Sequence, residues 1–400
     1  MFQGTLPERA QSWAASSQAA QLFVGAAEAD VTPTGVQYMG GYRIARESIG
    51  VFSALKARAL VLATKDLKVA IVGLDNLGLQ REDVEWIKSG ITGFHNGAVF
   101  VCASHTHAAP DLIGFWGWFF LSSGRDREYL ALVRKQVCAA VAVAEANARP
   151  AQLVRGEAWL PPRDLVRNSK REEVFDRRMT VLQAKDAATG EPLAALLHLS
   201  CHPEVLRRAN EKLSSDFVGA LCDSWMGAGL GQPVFVNGAL GAMVTPGIKP
   251  NGEPGVPLMG ERLLALGREA LASAQPVSGT ELEVRRRDVF SPFTSPALLL
   301  GRLSLAIPRA VYSGKVRSTV GYLRVGDVEI ATVPGEMEPG LAARIRRESA
   351  RPNLLIFGLV DDELGYLMGE NDARNPRFEY ERLMSTSVDV GERVVEALLR

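Results

Sequence analysis

An apolar, partly β-branched run that ends in two imidazoles constrains this chain more than any other stretch: Ala98-Val-Phe-Val-Cys-Ala-Ser-His105-Thr-His107-Ala-Ala-Pro-Asp111. Residues i and i+2 of an extended chain point to the same side, so His105 and His107 are expected to face one cleft at the mouth of a sheet. Neutral imidazole is a common zinc ligand, and a strand end holds it rigidly. The plainer alternative is that one ring packs and the other caps the turn before Pro110. With only five histidines in 400 residues, a pair this close is read as metal-binding or catalytic.

The rest of the chain alternates strand-like and helix-like runs. Strands are expected at Ala57–Thr64, Lys68–Gly73, Ala151–Trp159, Met179–Ala184, Leu193–Ser200, Leu282–Phe290, Thr319–Val325 and Val328–Val333. Helices are expected near Arg81–Ser89, over Arg125–Asn147, after Asp216, over Gly260–Ala274 and at Ser387–Leu399. A short helix within 7–22 would belong to an N-terminal extension, 1–22, and Ser291–Ser318 reads as an irregular insertion. No repeat or linker divides residues 23–400, so one domain is expected. Its class is α/β, a layered mixed sheet flanked by helices with the site at strand C-terminal ends.

Composition excludes several functions. Lys plus Arg and Asp plus Glu number 45 each, so there is no electrostatic case for nucleic-acid binding. No run approaches the ~18 apolar residues of a membrane span. Four cysteines without CxxC spacing require no disulfide framework. Residues 1–22 lack a signal-peptide core, which leaves open a cytosolic protein or a chain beginning after a removed leader. The segment 115–120 places five aromatics in six positions; it is expected either to line the entrance for a greasy substrate, where it would touch a lipid surface, or to pack as a buried turn.

Further strand exits carry metal-compatible groups. Leu196-Leu-His198-Leu-Ser-Cys-His202-Pro203 puts His202 at an exit and leaves His198 as a core residue, and Pro334-Gly-Glu336 brings a carboxylate to the start of a helix. Two His and one carboxylate are a common zinc set with an open position for water or substrate. Tyr366 stands nearby in the chain order. The loop Gly238-Ala-Leu-Gly241-Ala-Met-Val-Thr245-Pro246 has the small residues that let backbone amides approach a bound group, as an oxyanion site requires.

These residues together resemble the neutral (neutral/alkaline, non-lysosomal) ceramidases. The matching motifs are Ala29-Asp30-Val-Thr with Met39-Gly-Gly-Tyr, and Ser104-His-Thr-His-Ala-Ala-Pro110 against the family's S/T-H-T-H-S-G-P. They continue with His202-Pro, Ser215-Asp216, Phe235-Val-Asn-Gly-Ala-Leu-Gly, Pro334-Gly-Glu336, and Gly365-Tyr366 followed by Phe378-Glu-Tyr-Glu381, from about Val24 to Arg400. The resemblance implies a zinc amidase in which His105, His202, Glu336 and Tyr366 bind one Zn2+ ion. It also implies that His107, Arg167 and Tyr380 surround the scissile amide. Arg167-Asn168-Ser169 reverses the family's Asn-Arg-Ser order. The family's Gly-Asp-Val-Ser-Pro loop is replaced by Gly241-Ala-Met-Val-Thr-Pro246, which puts Thr245 at the serine position and removes the Asp. The family's C-terminal β-sandwich is not expected in this chain.

The expected activity is zinc-dependent hydrolysis of a carboxamide, of an N-acyl lipid such as ceramide or of a smaller apolar substrate. Two other metallohydrolase readings remain: an ester hydrolase or acyl-transfer enzyme, and an amidohydrolase-type barrel, where His-x-His also binds metal. The altered Gly241–Pro246 loop keeps a metal-containing binding protein in view.

Overall fold

Two open sheets stack face to face, and helices cover the outer side of each, in a computed structural model that describes residues 11–119, 122–161 and 164–400. The larger, nine-stranded sheet runs in the order Gln232–Asn237, Pro192–Leu199, Arg178–Asp186, Arg149–Trp159, Leu22–Asp30, Lys56–Ala63, Lys68–Leu74, Val99–Ala103. Gln275–Pro276 adds beside Arg149–Trp159. The terminal pair at each end is parallel and the pairs between are antiparallel. The five-stranded sheet runs Ser12–Ser17, Leu282–Pro292, Lys315–Val325, Val328–Thr332, Leu355–Phe357.

Both faces of the large sheet are buried, which is why its strands read as continuous apolar runs. Alternate residues go to opposite layers. Leu60, Leu62, Ile71 and Phe100 meet Leu323, Ile330 and Phe357 of the smaller sheet. Ala59, Val61, Val72 and Val101 instead meet the helix Arg127–Ala146 through Val133, Val137 and Val141. The same face further along is covered by Asp216–Gly227 and Gly255–Ala272. Pro339–Glu348 and Val390–Leu399 close the far side of the smaller sheet. Phe100 is 1% exposed between the sheets, with the Arg286 guanidinium 3.8 Å from its ring centre. Truncating a phenylalanine so placed costs ~3–5 kcal/mol.

Three expectations change. The 7–22 stretch holds no helix among the described residues. Ser12–Ser17 is an edge strand antiparallel to Leu282–Pro292, because Trp13 and Ala15 alternate inward onto the inter-sheet core. The insertion after Ser291 contains a helix, Pro296–Leu303, capped by the Ser295 hydroxyl. Neither sheet closes on itself, so the chain does not form the barrel of the amidohydrolase reading.

The sheet's order leaves Val99–Ala103 and Gln232–Asn237 at opposite ends, yet the ends meet. The buried Asn237 amide donates to Ser104 O (2.9 Å) and Cys201 O (2.8 Å), and its oxygen accepts from the Cys201 amide at 3.0 Å. This clamp joins the residues just before His105 and His202.

Candidate metal centre and active-site cleft

The strand Val99–Ala103 stops two residues before His105, whose φ of +71° lies in the left-handed region. Strand alternation therefore does not aim the ring, and such a conformation in a non-glycine residue persists only where the surroundings hold it. Here the His105 amide donates to Asn76 O (2.8 Å) and its Nδ1 donates to Leu77 O (2.6 Å). A carbonyl only accepts, so Nδ1 carries the proton and Nε2 presents a lone pair. His202 repeats the device, with Nδ1 donating to Val244 O at 2.7 Å. The two Nε2 atoms converge on one carboxylate, His202 at 3.0 Å from Glu336 Oε2 and His105 at 3.5 Å from Oε1.

Glu336 is not the helix N-terminal residue it was expected to be. It forms a two-residue strand with Met337, parallel to Tyr366–Leu367, in register with Tyr366. Glu338 caps the helix instead, accepting from the Leu341 amide. Gly365 makes the pairing feasible: its φ is +82°, and a Cβ there would sit 1.7 Å from Met384 O. Tyr366 is thereby buried against Glu336, and burial and that carboxylate push its hydroxyl well above the ordinary range. Burial holds His105 down to about 3. Burial opposes charge on His202 too, but the facing Glu336 carboxylate lifts it above its usual value.

His107 completes the cluster. Its ring centre lies 5.1 Å from that of His105 and 5.6 Å from that of His202. Ligand atoms of all three histidines lie within 4.8 Å of one another. Both His107 ring nitrogens are buried without a hydrogen-bond partner, and burial, His202 and Arg46 hold its pKa well below the usual value. Gly41 gives the ring its space, since a Cβ there, at φ +100°, would lie 2.6 Å from His107 Cγ. Arg46 donates to the His107 carbonyl. His198 is separate: it stacks on Phe357 and its Nε2 donates to Ile356 O at 2.9 Å, as a core residue.

Behind His107 lies a network that sequence reading missed. Glu204 Oε2 is 3.9 Å from His107 Nδ1 and accepts from the Tyr42 hydroxyl at 2.6 Å. Its other oxygen accepts from Thr245 Oγ1, which in turn accepts from Arg207 Nη1 at 3.1 Å. Thr245 is thus buried one layer behind the cluster. Arg167, its partner across the short strand pair, has an exposed side chain and does not line the cleft. In the loop 238–246, three amides and one carbonyl are committed within the protein. Its Gly238, Gly241 and Val244 amides donate to the carbonyls of Leu199, Met337 and Leu240, and the Val244 carbonyl stands behind His202.

A cleft opens over His105, His107, Glu336 and Tyr366. Its walls are mainly apolar, from Leu77, Ile113, Phe115, Trp116, Leu298 and Ile307, which is the usual make-up of a site for an apolar ligand. The aromatic segment is divided: Phe115 and Trp116 line the cleft, Trp118 is 64% exposed, and Phe120 lies outside the described residues. The carboxylate of Asp111 holds this turn by accepting from the Ile113, Gly114 and Trp116 amides. Tyr380 lines the cleft from the other side, its ring centre 6.0 Å from that of Tyr366. Although the residue is 47% exposed, the crowding of protein around its ring and hydroxyl and the Glu336 charge push it up to about 12.

Comparison with solved structures decides the architecture. Neutral ceramidase from Pseudomonas aeruginosa superposes with a TM-score of 0.76 at 18% identity, over 95% of this chain and 74% of that one. The chain has the fold of the neutral ceramidases. A ceramidase complexed with C2 matches equally, with a TM-score of 0.77 at 18% identity over 95% of this chain and 75% of its own. No protein-family model and no curated protein matches the sequence. Within the neutral ceramidase fold, the chemistry of this donor set suits a metal ion. Two imidazoles, each with Nδ1 committed to a backbone carbonyl, bring Nε2 to one buried carboxylate, an N,N,O set of the kind that holds a divalent cation.

Proposed function

We propose that this protein is a zinc-dependent hydrolase of carboxamides borne by apolar acyl chains, with ceramide-like N-acyl lipids as the leading substrates. The observation that carries the reading is the convergence of His105 and His202 Nε2 on the two oxygens of Glu336, each ring locked by a backbone carbonyl at Nδ1. Backbone carbonyls behind metal-binding imidazoles fix the tautomer and raise ligand basicity. His105, His202, Glu336 and Tyr366 would hold the ion. Zinc in such a site lowers the pKa of a bound water or alcohol and polarises the scissile carbonyl.

The remaining roles belong to the chain's own side chains. His107, unpartnered at both nitrogens and oriented by Arg46, Gly41 and the Tyr42–Glu204 pair, takes the proton from the attacking oxygen and returns it to the leaving amine. Tyr380 donates its hydroxyl hydrogen to the developing oxyanion. The walls formed by Phe115, Trp116, Leu298 and Ile307 take the acyl chain and exclude water. Arg167 receives no part, since it does not line the cleft. Thr245 acts through Glu204.

The test is hydrolysis of N-acyl sphingosine and of a panel of shorter N-acyl amides by the purified protein, with and without a chelator, alongside elemental analysis. Chelator-sensitive release of the acyl group with about one zinc per chain is expected. Turnover unaffected by chelation refutes the zinc mechanism, and absence of turnover on every amide refutes the substrate class. Stoichiometric metal without any hydrolysis would mark a binding protein.

A further inference from the structure

The cleft holds a second carboxylate that the proposed chemistry leaves unused. Glu363 lines it, 9% exposed, and burial together with the nearby Glu336 charge raises its pKa well above the usual value, so that a group donating to it is what would hold it ionised. Its Oε1 accepts from the Gly365 amide at 3.0 Å, whereas Oε2 is buried with no hydrogen-bond partner. A buried carboxylate oxygen without a donor costs several times what a made hydrogen bond gains, so such an atom calls for an explanation.

The surroundings hold this residue still without satisfying it. Arg309 donates through Nη2 to the Glu363 carbonyl at 2.9 Å and through both terminal nitrogens to Asp362, and its Nε donates to Gln80 Oε1 at 2.6 Å. The guanidinium is therefore committed to Asp362 and Gln80 and is not the missing partner. The amide of Gly78, the backbone next to Oε2, donates to Asn76 Oδ1 instead. A Cβ at Gly78 would lie 3.1 Å from Oε2, so glycine there leaves the carboxylate its room. The result is a fixed acceptor in a cleft whose walls are mainly apolar, the arrangement that confers orientation and specificity on a bound ligand.

Building on the hydrolase reading, we infer that Glu363 is a specificity-determining residue whose free carboxylate oxygen accepts a hydrogen bond from a hydroxyl or ammonium group carried by the substrate beside its scissile amide. An amide lacking such a group leaves the oxygen unpaired and is rejected, because a site built to hydrogen-bond a polar group discriminates strongly against the analogue without it.

Binding of non-hydrolysable sulfonamides, with SO2 in place of the amide carbonyl, tests this independently of turnover. Three analogues share a dodecylsulfonyl chain and carry an ethyl, a 2-hydroxyethyl or a 2-aminoethyl group on nitrogen, and each is titrated calorimetrically into the purified protein. The hydroxyl or the ammonium compound should bind at least about tenfold more tightly than the ethyl compound. Glu363→Leu should remove that preference. The isosteric Glu363→Gln should keep a preference for the hydroxyl but lose one for the ammonium, which tells the two donors apart. Equal affinity of all three for the unaltered protein, or a preference that survives Glu363→Leu, overturns the inference. If the binding preference holds but the corresponding amides are not hydrolysed, the hydrolase reading fails and the role of Glu363 in recognition stands.

Discussion

Asn237→Ala should unfasten the site without touching a ligand. Asn237 is fully buried and joins the two ends of the large sheet, donating to Ser104 O and Cys201 O and accepting from the Cys201 and Gly238 amides at 3.0 and 3.1 Å. Gly238 keeps a second acceptor in Leu199 O. The truncation thus strips the Asn237 bond from two carbonyls and the Cys201 amide in the interior. At about 1–2 kcal/mol for each buried group left unsatisfied, with part recovered by relaxation or an entering water, the loss should be ~3–5 kcal/mol. That is a large share of a typical folding free energy. Urea unfolding followed by circular dichroism gives the stability change, and equilibrium dialysis against zinc gives the affinity. Metal affinity should fall with it, since His105 and His202 follow the two carbonyls the clamp holds. Asn237→Asp keeps the acceptor and loses the two donations, so it should fall between the alanine variant and the unaltered protein. A loss below about 1 kcal/mol with unchanged zinc affinity would refute the clamp as what brings the two histidines together.

Three further perturbations follow. His107→Ala should lower turnover by about 100-fold or more with zinc content unchanged; loss of the metal in this variant would show that His107 is a ligand, as its closeness to His105 and His202 permits. Gly365→Ala should yield little folded protein, because the new Cβ falls 1.7 Å from Met384 O at a φ of +82°, and a melting temperature within a few degrees of the unaltered protein's would contradict the pairing of Glu336 with Tyr366. Although burial disfavours its charge, Asp176 is held well below the usual carboxylate range by Arg178 (3.0 Å) and Arg346 (2.6 Å). Its contribution is then complete above about pH 4 and lost as pH falls towards the folded value. Asp176→Asn should flatten the acid limb of the stability profile, and an identical limb in the variant would refute the assignment.

Much of the architecture was legible in the chain, for a physical reason. Strands buried on both faces must be apolar throughout, so Lys56–Ala63, Lys68–Leu74, Val99–Ala103 and Pro192–Leu199 stand out as uninterrupted runs, and a polar group such as His105 or His202 just past one marks its exit. Segments whose partners lie far away in sequence were less legible. Ser12–Ser17 has a pattern too weak to choose between helix and strand until Leu282–Pro292 offers it an edge. Glu336 looks like a helix start, but Tyr366 captures it into a two-residue sheet.

From the sequence alone came the layered α/β class, the histidines and carboxylate suited to a metal, and the separation of core His198 from His202. Only the tertiary structure decided how they meet. His105 turns through a left-handed backbone that strand alternation does not anticipate, and Asn237 closes the ends of a sheet whose strand order keeps them apart. Glu204 comes to stand behind His107, and Glu363 is left with an unpaired oxygen in the cleft. Periodicity reports which residues are buried, because burial repeats along an element. It is silent on which side chains converge at element ends, where single dihedral angles and contacts between residues over a hundred positions apart (Asn237 to Ser104, |i−j| of 133) set the geometry.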